Sequence, residues 1–175
     1  MRLSLALLVP SILACVCAAN LAHAVPSTPA RPVLASLTDD TFVYPVMGPR
    51  VSSSYGNRRH PLRKVKHHHQ GVDLAAPSGA PIRAVADGQV MFADPYAGYG
   101  KLVVIQHDGG LTSHYGHCAR ILVQPGTHVR AGDIIGTVGS TGISTGPHLH
   151  FELRKSGKSL DPERLLPGIA DSAEG

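Results

Sequence analysis

The residues of this chain best suited to chemistry gather in two short stretches, with one further histidine, His117, between them. In Ser144-Thr145-Gly146-Pro147-His148-Leu149-His150-Phe151-Glu152-Leu153, two imidazoles stand two residues apart. If this segment is a strand, its period of two puts His148 and His150 on one face and Leu149 and Phe151 on the other. Gly146-Pro147 supplies the turn that starts it. The second stretch, His67-His68-His69-Gln70-Gly71-Val72-Asp73, offers imidazoles and a carboxylate. On a helix His69 and Asp73 would share a face, but Gly71, Val72 and the flanking turn residues argue against a helix. In a straight strand they would sit about 13 Å apart, too far for one metal ion with bonds of about 2 Å. Both reach one ion only if the chain bends between them, and Gly71 permits that bend. Spacing alone does not select His69 from the three consecutive histidines.

A catalytic zinc site takes three protein ligands of the N/O type and keeps a position open for water. His69, Asp73 and His150 could supply two imidazoles and a carboxylate, which leaves His117 and His148 without a ligand role. A metal-bound water whose pKa falls toward about 7 still needs a group to take its proton and a donor for the developing oxyanion, and imidazole suits both tasks. The same ligand types also fit a two-His-one-carboxylate iron oxygenase. The spacing, the exported context and the otherwise unexplained His117 count against that reading.

Aromatics are scarce at 5%, Gly (19) and Pro (14) are abundant, and Val, Ile and Thr recur in short runs. This is the pattern of an all-β chain with many short strands and tight turns. Strands are expected over Ile82–Ala86, Gln89–Ala93, Leu102–His107, Thr112–His117, Ile121–Val123, His128–Ala131 and Ile134–Val138. Asp87-Gly88 reads as a two-residue hairpin and Asp108-Gly109-Gly110 as a longer one. Gly79-Ala80-Pro81-Ile82-Arg83-Ala84 is echoed by Gly126-Thr127-His128-Val129-Arg130-Ala131, 47 residues later, which suggests a duplicated β-unit. The fold class expected is a mostly antiparallel, duplicated β-sandwich or open barrel with little helix. Upstream, Arg58 to Lys66 packs five cations into nine residues, a run that cannot be buried unpaired and reads as a surface loop.

The 175 residues suit one domain. Residues 1–24 read as a signal peptide: Arg2, an apolar run from Leu3 to Cys17, and Ala22-His23-Ala24 as a cleavage site. Pro10 breaks the apolar run, which argues against a retained membrane anchor. Lipid attachment at Cys15 is the minor alternative, and Leu13 fits it poorly. Residues 25–41 are a Pro-rich linker or arm, 42–167 the domain, and 168–175 a flexible tail. Removing the leader leaves Cys118 as the only thiol, so no intramolecular disulfide can form. The formal net charge of +4 suits an anionic envelope polymer without pointing to nucleic acid.

In this order, His69-x-x-x-Asp73, Tyr115-x-His117 and His148-Leu149-His150 resemble the lysostaphin/LytM-type zinc metallopeptidases, which cut peptides in bacterial peptidoglycan. The resemblance extends through Tyr55-Gly56-x-Arg58-x-His60-Pro61, Gly98-Tyr99-Gly100 and Gly139-x-Thr141-Gly142 to Asp161-Pro162, about residues 42–165. It implies that His69, Asp73 and His150 hold one Zn2+ and that His117 and His148 are catalytic. It also implies a duplicated, mostly antiparallel β fold with the site in a groove. The function implied is an exported zinc metalloendopeptidase of the periplasm or cell envelope that hydrolyses peptidoglycan peptide cross-links. Zinc would polarise the scissile carbonyl and its water would attack. Some relatives keep the fold without a complete site and act on other hydrolases, so a non-catalytic wall-binding or hydrolase-activating module is the alternative, and an envelope regulator a potential partner. The chain departs from the family pattern at His67 and His68, which could offer a competing or auxiliary metal site. It departs again at Cys118, read as a small buried apolar side chain. His60, His107, His114 and His128 read as structural or surface residues.

Overall fold

The computed structural model describes residues 42–48, 50–59 and 66–166, and their regular structure is almost entirely strand. The expected leader with Cys15 and Cys17, the arm 25–41, His60 with the middle of the basic run, and the tail 168–175 lie outside the described residues. In chain order the first strands are β1 (Arg50–Ser53), β2 (Gly56–Arg59), β3 (Lys66–His69), β4 (Val72–Ala75), β5 (Pro81–Arg83) and β6 (Gly88–Pro95). There follow β7 (Lys101–Gln106), β8 (Leu111–Ile121), β9 (His128–Val129), β10 (Ile134–Val138), β11 (His148–Lys155) and β12 (Lys158–Leu160). Among the described residues one short α-helix, α1 (Pro162–Leu165), follows Asp161, whose side chain accepts from the Glu163 N–H at 3.1 Å. No helix among the described residues is long and apolar enough to cross a membrane.

The main sheet is antiparallel and runs β1-β4-β11-β8-β7-β6-β9, with β10 joining β8 to β5 and β12 paired to β11. β2 and β3 form a separate ribbon in which Arg59 pairs with Lys66, so the two ends of the basic run are strand rather than loop. On β11 the expected alternation holds: Leu149, Phe151 and Leu153 are fully buried in the core with Val72, Leu74, Tyr115 and Ile105. Each such side chain contributes about 1.5–3 kcal/mol by leaving water. That apolar face anchors the strand whose other face carries His148 and His150.

The sequence echo is a structural repeat. Gly79 and Gly126 both take positive φ, 86° and 88°. The Gly79 N–H donates to the Val138 carbonyl and Val138 N–H to that of Ala80, both at 2.8 Å. Gly126 and Val90 repeat this pattern at 2.8 and 2.9 Å, with Thr127 as the acceptor. The first strand of each copy therefore pairs with the second strand of the other, β5 with β10 and β9 with β6. That exchange corrects the reading of Asp87-Gly88 as a hairpin, because β5 and β6 are not partners. Asp87 instead accepts from the Ala131 N–H at 2.8 Å, stitching one copy to the other. Asp108-Gly109-Gly110 does join two paired strands, β7 and β8, through a 3-10 turn.

Candidate metal centre and active site

The site begins where the chain leaves the β2–β3 ribbon at His69 and enters the main sheet at Val72. Gly71 lies within this crossing, and a Cβ there would stand 2.2 Å from the Phe151 carbonyl oxygen. The glycine is needed for close approach to β11, and the bend brings His69 Nε2 within 3.2 Å of Asp73 Oδ1. The register of β4 with β11 sets His150 opposite Asp73, and His150 Nδ1 lies 2.7 Å from the same oxygen. His69 Nε2 and His150 Nδ1 are 3.2 Å apart. Three ligand atoms from residues 69, 73 and 150 thus converge on one point, a group that could hold a metal ion.

Their partners show that the donor set fits a cation. His69 Nδ1 is 2.8 Å from the Ser54 carbonyl, which can only accept, so that nitrogen carries the proton and Nε2 presents its lone pair. His150 Nε2–H donates to Glu152 Oε1 at 2.9 Å, which leaves Nδ1 as its inward lone pair. Two imidazole lone pairs and a carboxylate oxygen facing one another repel unless a cation or a proton sits among them. Asp73 shows the same polarity: burial favours its neutral form, but in the metal-free site the rings of His150 and His69 take the cation's place and hold its carboxyl well below the usual range. Burial opposes a charged His150 too, yet Asp73 and Glu152 outweigh it and lift the metal-free imidazole to about 9.

His117 reaches this centre through a defect in β8. In a regular strand Tyr115 and His117 would share a face, and Tyr115 is buried in the core. Between the pairs Lys101–Cys118 and Val103–Tyr115, β8 has one residue more than β7, and His117 takes φ 60°. This bulge returns Cys118 to the core and swings His117 to the His150 side. The His117 Nδ1–H donates to the Thr141 carbonyl at 2.7 Å, which leaves Nε2 free to accept a proton. Burial pushes the His117 pKa down, against the hydrogen bond to Thr141, which raises it. His148 is anchored alike, Nδ1–H to the Gly146 carbonyl at 2.8 Å, with Nε2 3.7 Å from Asp73 Oδ1.

All five expected site residues therefore line one open groove of about 590 Å³, whose rim includes His68, Tyr99, Ile143 and Thr145. His68 turns away from the ligand atoms, with Nδ1 3.0 Å from Asn57 Oδ1 and its ring edge-on to Tyr55. His107 is structural, fixed between the Asp87 carbonyl and Ser113 Oγ at 2.7 Å each. Cys118 is a buried core residue whose thiol burial pushes up to about 12. Sequence reasoning missed Glu152, Arg154 and Tyr99. Buried Glu152 accepts from Tyr99 OH at 2.8 Å and from Arg154 Nε at 2.7 Å as well as from His150. Burial raises its carboxyl, but these donors prevail and hold it at about 2. The period of two that selected His148 and His150 also places Glu152 and Arg154 on their face.

Comparison with known proteins gives one family match: the pattern described as peptidase family M23 covers residues 67–162. The DD-carboxypeptidase/endopeptidase Mpg of Neisseria meningitidis is 44% identical over 120 residues, covering 69% of this chain and 28% of Mpg. The murein hydrolase activator NlpD of Salmonella dublin is 44% identical over 99 residues, 56% of this chain and 26% of NlpD. This chain thus spans about a quarter of the length of these relatives. Among solved structures, a zinc-containing peptidase from Vibrio cholerae superposes with TM-score 0.66 at 36% identity, over 69% of this chain and 39% of that one. The catalytic domain of lysostaphin from Staphylococcus simulans gives TM-score 0.60 at 31% identity, over 67% and 92% of the two chains.

Proposed function

Because the chain belongs to peptidase family M23, we propose that it is an exported zinc metalloendopeptidase hydrolysing peptide cross-links of bacterial peptidoglycan in the periplasm or cell envelope. The observation that carries this reading is the convergence of His69 Nε2, Asp73 Oδ1 and His150 Nδ1 beside two further imidazoles whose Nδ1 atoms are held by backbone carbonyls. Zinc is the metal of choice because two imidazoles, one carboxylate and an open side are a catalytic zinc ligand set, and a similar solved structure is that of a zinc-containing peptidase.

When bound, zinc would supply Lewis acidity toward a carbonyl oxygen and lower the pKa of a water. The remaining work falls to the chain. His69 turns Nε2 and His150 turns Nδ1 toward the metal because Ser54 and Glu152 hold their outer N–H groups. Neutral His117 accepts a proton at Nε2, and His148 Nε2 lies across the same space to steady or protonate the reacting amide. The amide C–N bond breaks, the water oxygen joins the acyl carbon, and a water proton ends on the leaving amine. The bulge in β8 and the hydrogen bond to the Thr141 carbonyl hold His117 in position for this transfer, against the cost of φ 60°.

The likeness to a murein hydrolase activator favours a second reading, a module that stimulates another hydrolase. All five site residues are present here, and their convergence favours catalysis. Digestion of a defined cross-linked muropeptide, read by mass spectrometry, separates the two. The peptidase gives cleaved fragments alone; a zinc-loaded chain that yields fragments only with a second hydrolase present is the activator.

A further inference from the structure

Glu152 is a buried carboxylate that touches neither the metal nor the groove's reacting atoms in the chemistry proposed above, and both its oxygens are occupied. Oε1 accepts from His150 Nε2 and from Tyr99 OH, and Oε2 accepts from Arg154 Nε and stands in ion-pair contact with Nη2. With no oxygen left for a metal, it is not a ligand. Its Oε1 sits at the outer edge of the ring whose inner edge, Nδ1, faces Asp73 at 2.7 Å. An imidazole has two nitrogens, and the one facing the metal is decided by what the other is bonded to. We infer that Glu152 is the positioning residue that makes His150 an Nδ1 ligand, and that Arg154 ties this carboxylate to the strand end carrying His69.

The second half of the inference follows from one guanidinium nitrogen. Arg154 Nη2 donates to Gln70 Oε1 at 2.8 Å, next in sequence to His69, and to the Tyr99 oxygen at 3.0 Å. The guanidinium therefore bridges the two ligand-bearing segments, although Gln70 and Arg154 lie 84 residues apart. It also sets a positive charge against the Glu152 carboxyl, which is 1% exposed. His150, Glu152 and Arg154 are alternate residues of β11, so a single strand carries ligand, orienting group and countercharge.

This rests on the metal reading, and the test reads metal rather than turnover. In the full-length chain, zinc affinity is measured by competition with a chromophoric chelator for wild type, Glu152→Ala, Glu152→Gln, Arg154→Met and Glu152→Ala/Arg154→Met. Glu152→Ala is expected to weaken zinc by about 10–100-fold and Glu152→Gln by less, since an amide oxygen still accepts. Arg154→Met should weaken it too, and the double variant should lose less than the product of the two single losses, because both act through one contact. Independently of any variant's folding, 113Cd-substituted wild type labelled with 15N-histidine should show cadmium coupled to Nδ1 of His150. Cadmium on Nε2, or a folded Glu152→Ala whose zinc affinity stays within about twofold of wild type, would overturn the role of Glu152; independent losses in the double variant would overturn the bridge. Tight zinc binding without peptide cleavage would remove the peptidase reading alone.

Discussion

The rings of His117 and His148 lie with centroids 4.7 Å apart, and each spends its Nδ1 proton on a loop carbonyl, of Thr141 and Gly146. Under the proposed function, two imidazoles oriented by the same device leave two Nε2 atoms for one reacting centre. Substitution of either should therefore leave metal in place and remove turnover. His117→Ala and His148→Ala are each expected to lose about 10²–10⁴-fold in the rate of muropeptide cleavage, with metal content unchanged by elemental analysis.

His117 also stores strain, since a non-glycine residue at φ 60° costs about 1–2 kcal/mol. His117→Gly relieves that cost and loses the hydrogen bond to Thr141, worth about 1 kcal/mol. The two effects nearly cancel, so the thermal midpoint should stay close to wild type while activity is lost.

Gly71→Ala should do the reverse and damage the scaffold. Its Cβ would lie 2.2 Å from the Phe151 carbonyl oxygen, which is backbone and cannot swing aside. A destabilisation of about 3 kcal/mol in urea titration is expected, together with weaker metal binding as β4 moves away from β11.

His114 makes stability depend on pH. Burial, and then the nearby Arg154, push its pKa from 6.5 down to about 4. Below pH 6.5 the unfolded chain takes up a proton that the folded chain refuses. The stabilising contribution is thus complete above pH 6.5 and is lost as pH falls toward 4, up to about 3 kcal/mol. His114→Asn should lack this component, so the gap between the two urea midpoints should change across that window.

Cys118 should be inert. With its thiol pushed up to about 12 by burial, almost no thiolate exists at neutral pH. Peptide mapping after iodoacetamide treatment should find Cys118 unmodified in the native chain and alkylated in denaturant.

Much of the site was legible in local patterns. The period of two on β11 separated His148 and His150 from Leu149 and Phe151, and the need for a bend after His69 followed from distance alone. The reason Gly71 is glycine was not legible, because it depends on Phe151, far along the chain. Asp87-Gly88 has the chemistry of a hairpin turn, but the duplicated units exchange strands, and tertiary pairing overrode the local signal. Residue type gives no hint of the carbonyls of Ser54, Thr141 and Gly146 that orient three of the histidines, since every residue has a carbonyl. Glu152 shares the histidine face visibly, but its partners Tyr99 and Gln70 reach it, or its counterion Arg154, only through folding.

The most direct measurement pairs metal content with cleavage of a defined cross-linked muropeptide for wild type, His148→Ala and His150→Ala. Wild type and His148→Ala should each carry about one zinc per chain, His150→Ala should carry none, and only wild type should cleave. A wild-type chain holding stoichiometric zinc and leaving the cross-link intact would contradict the assignment of this site to peptide hydrolysis.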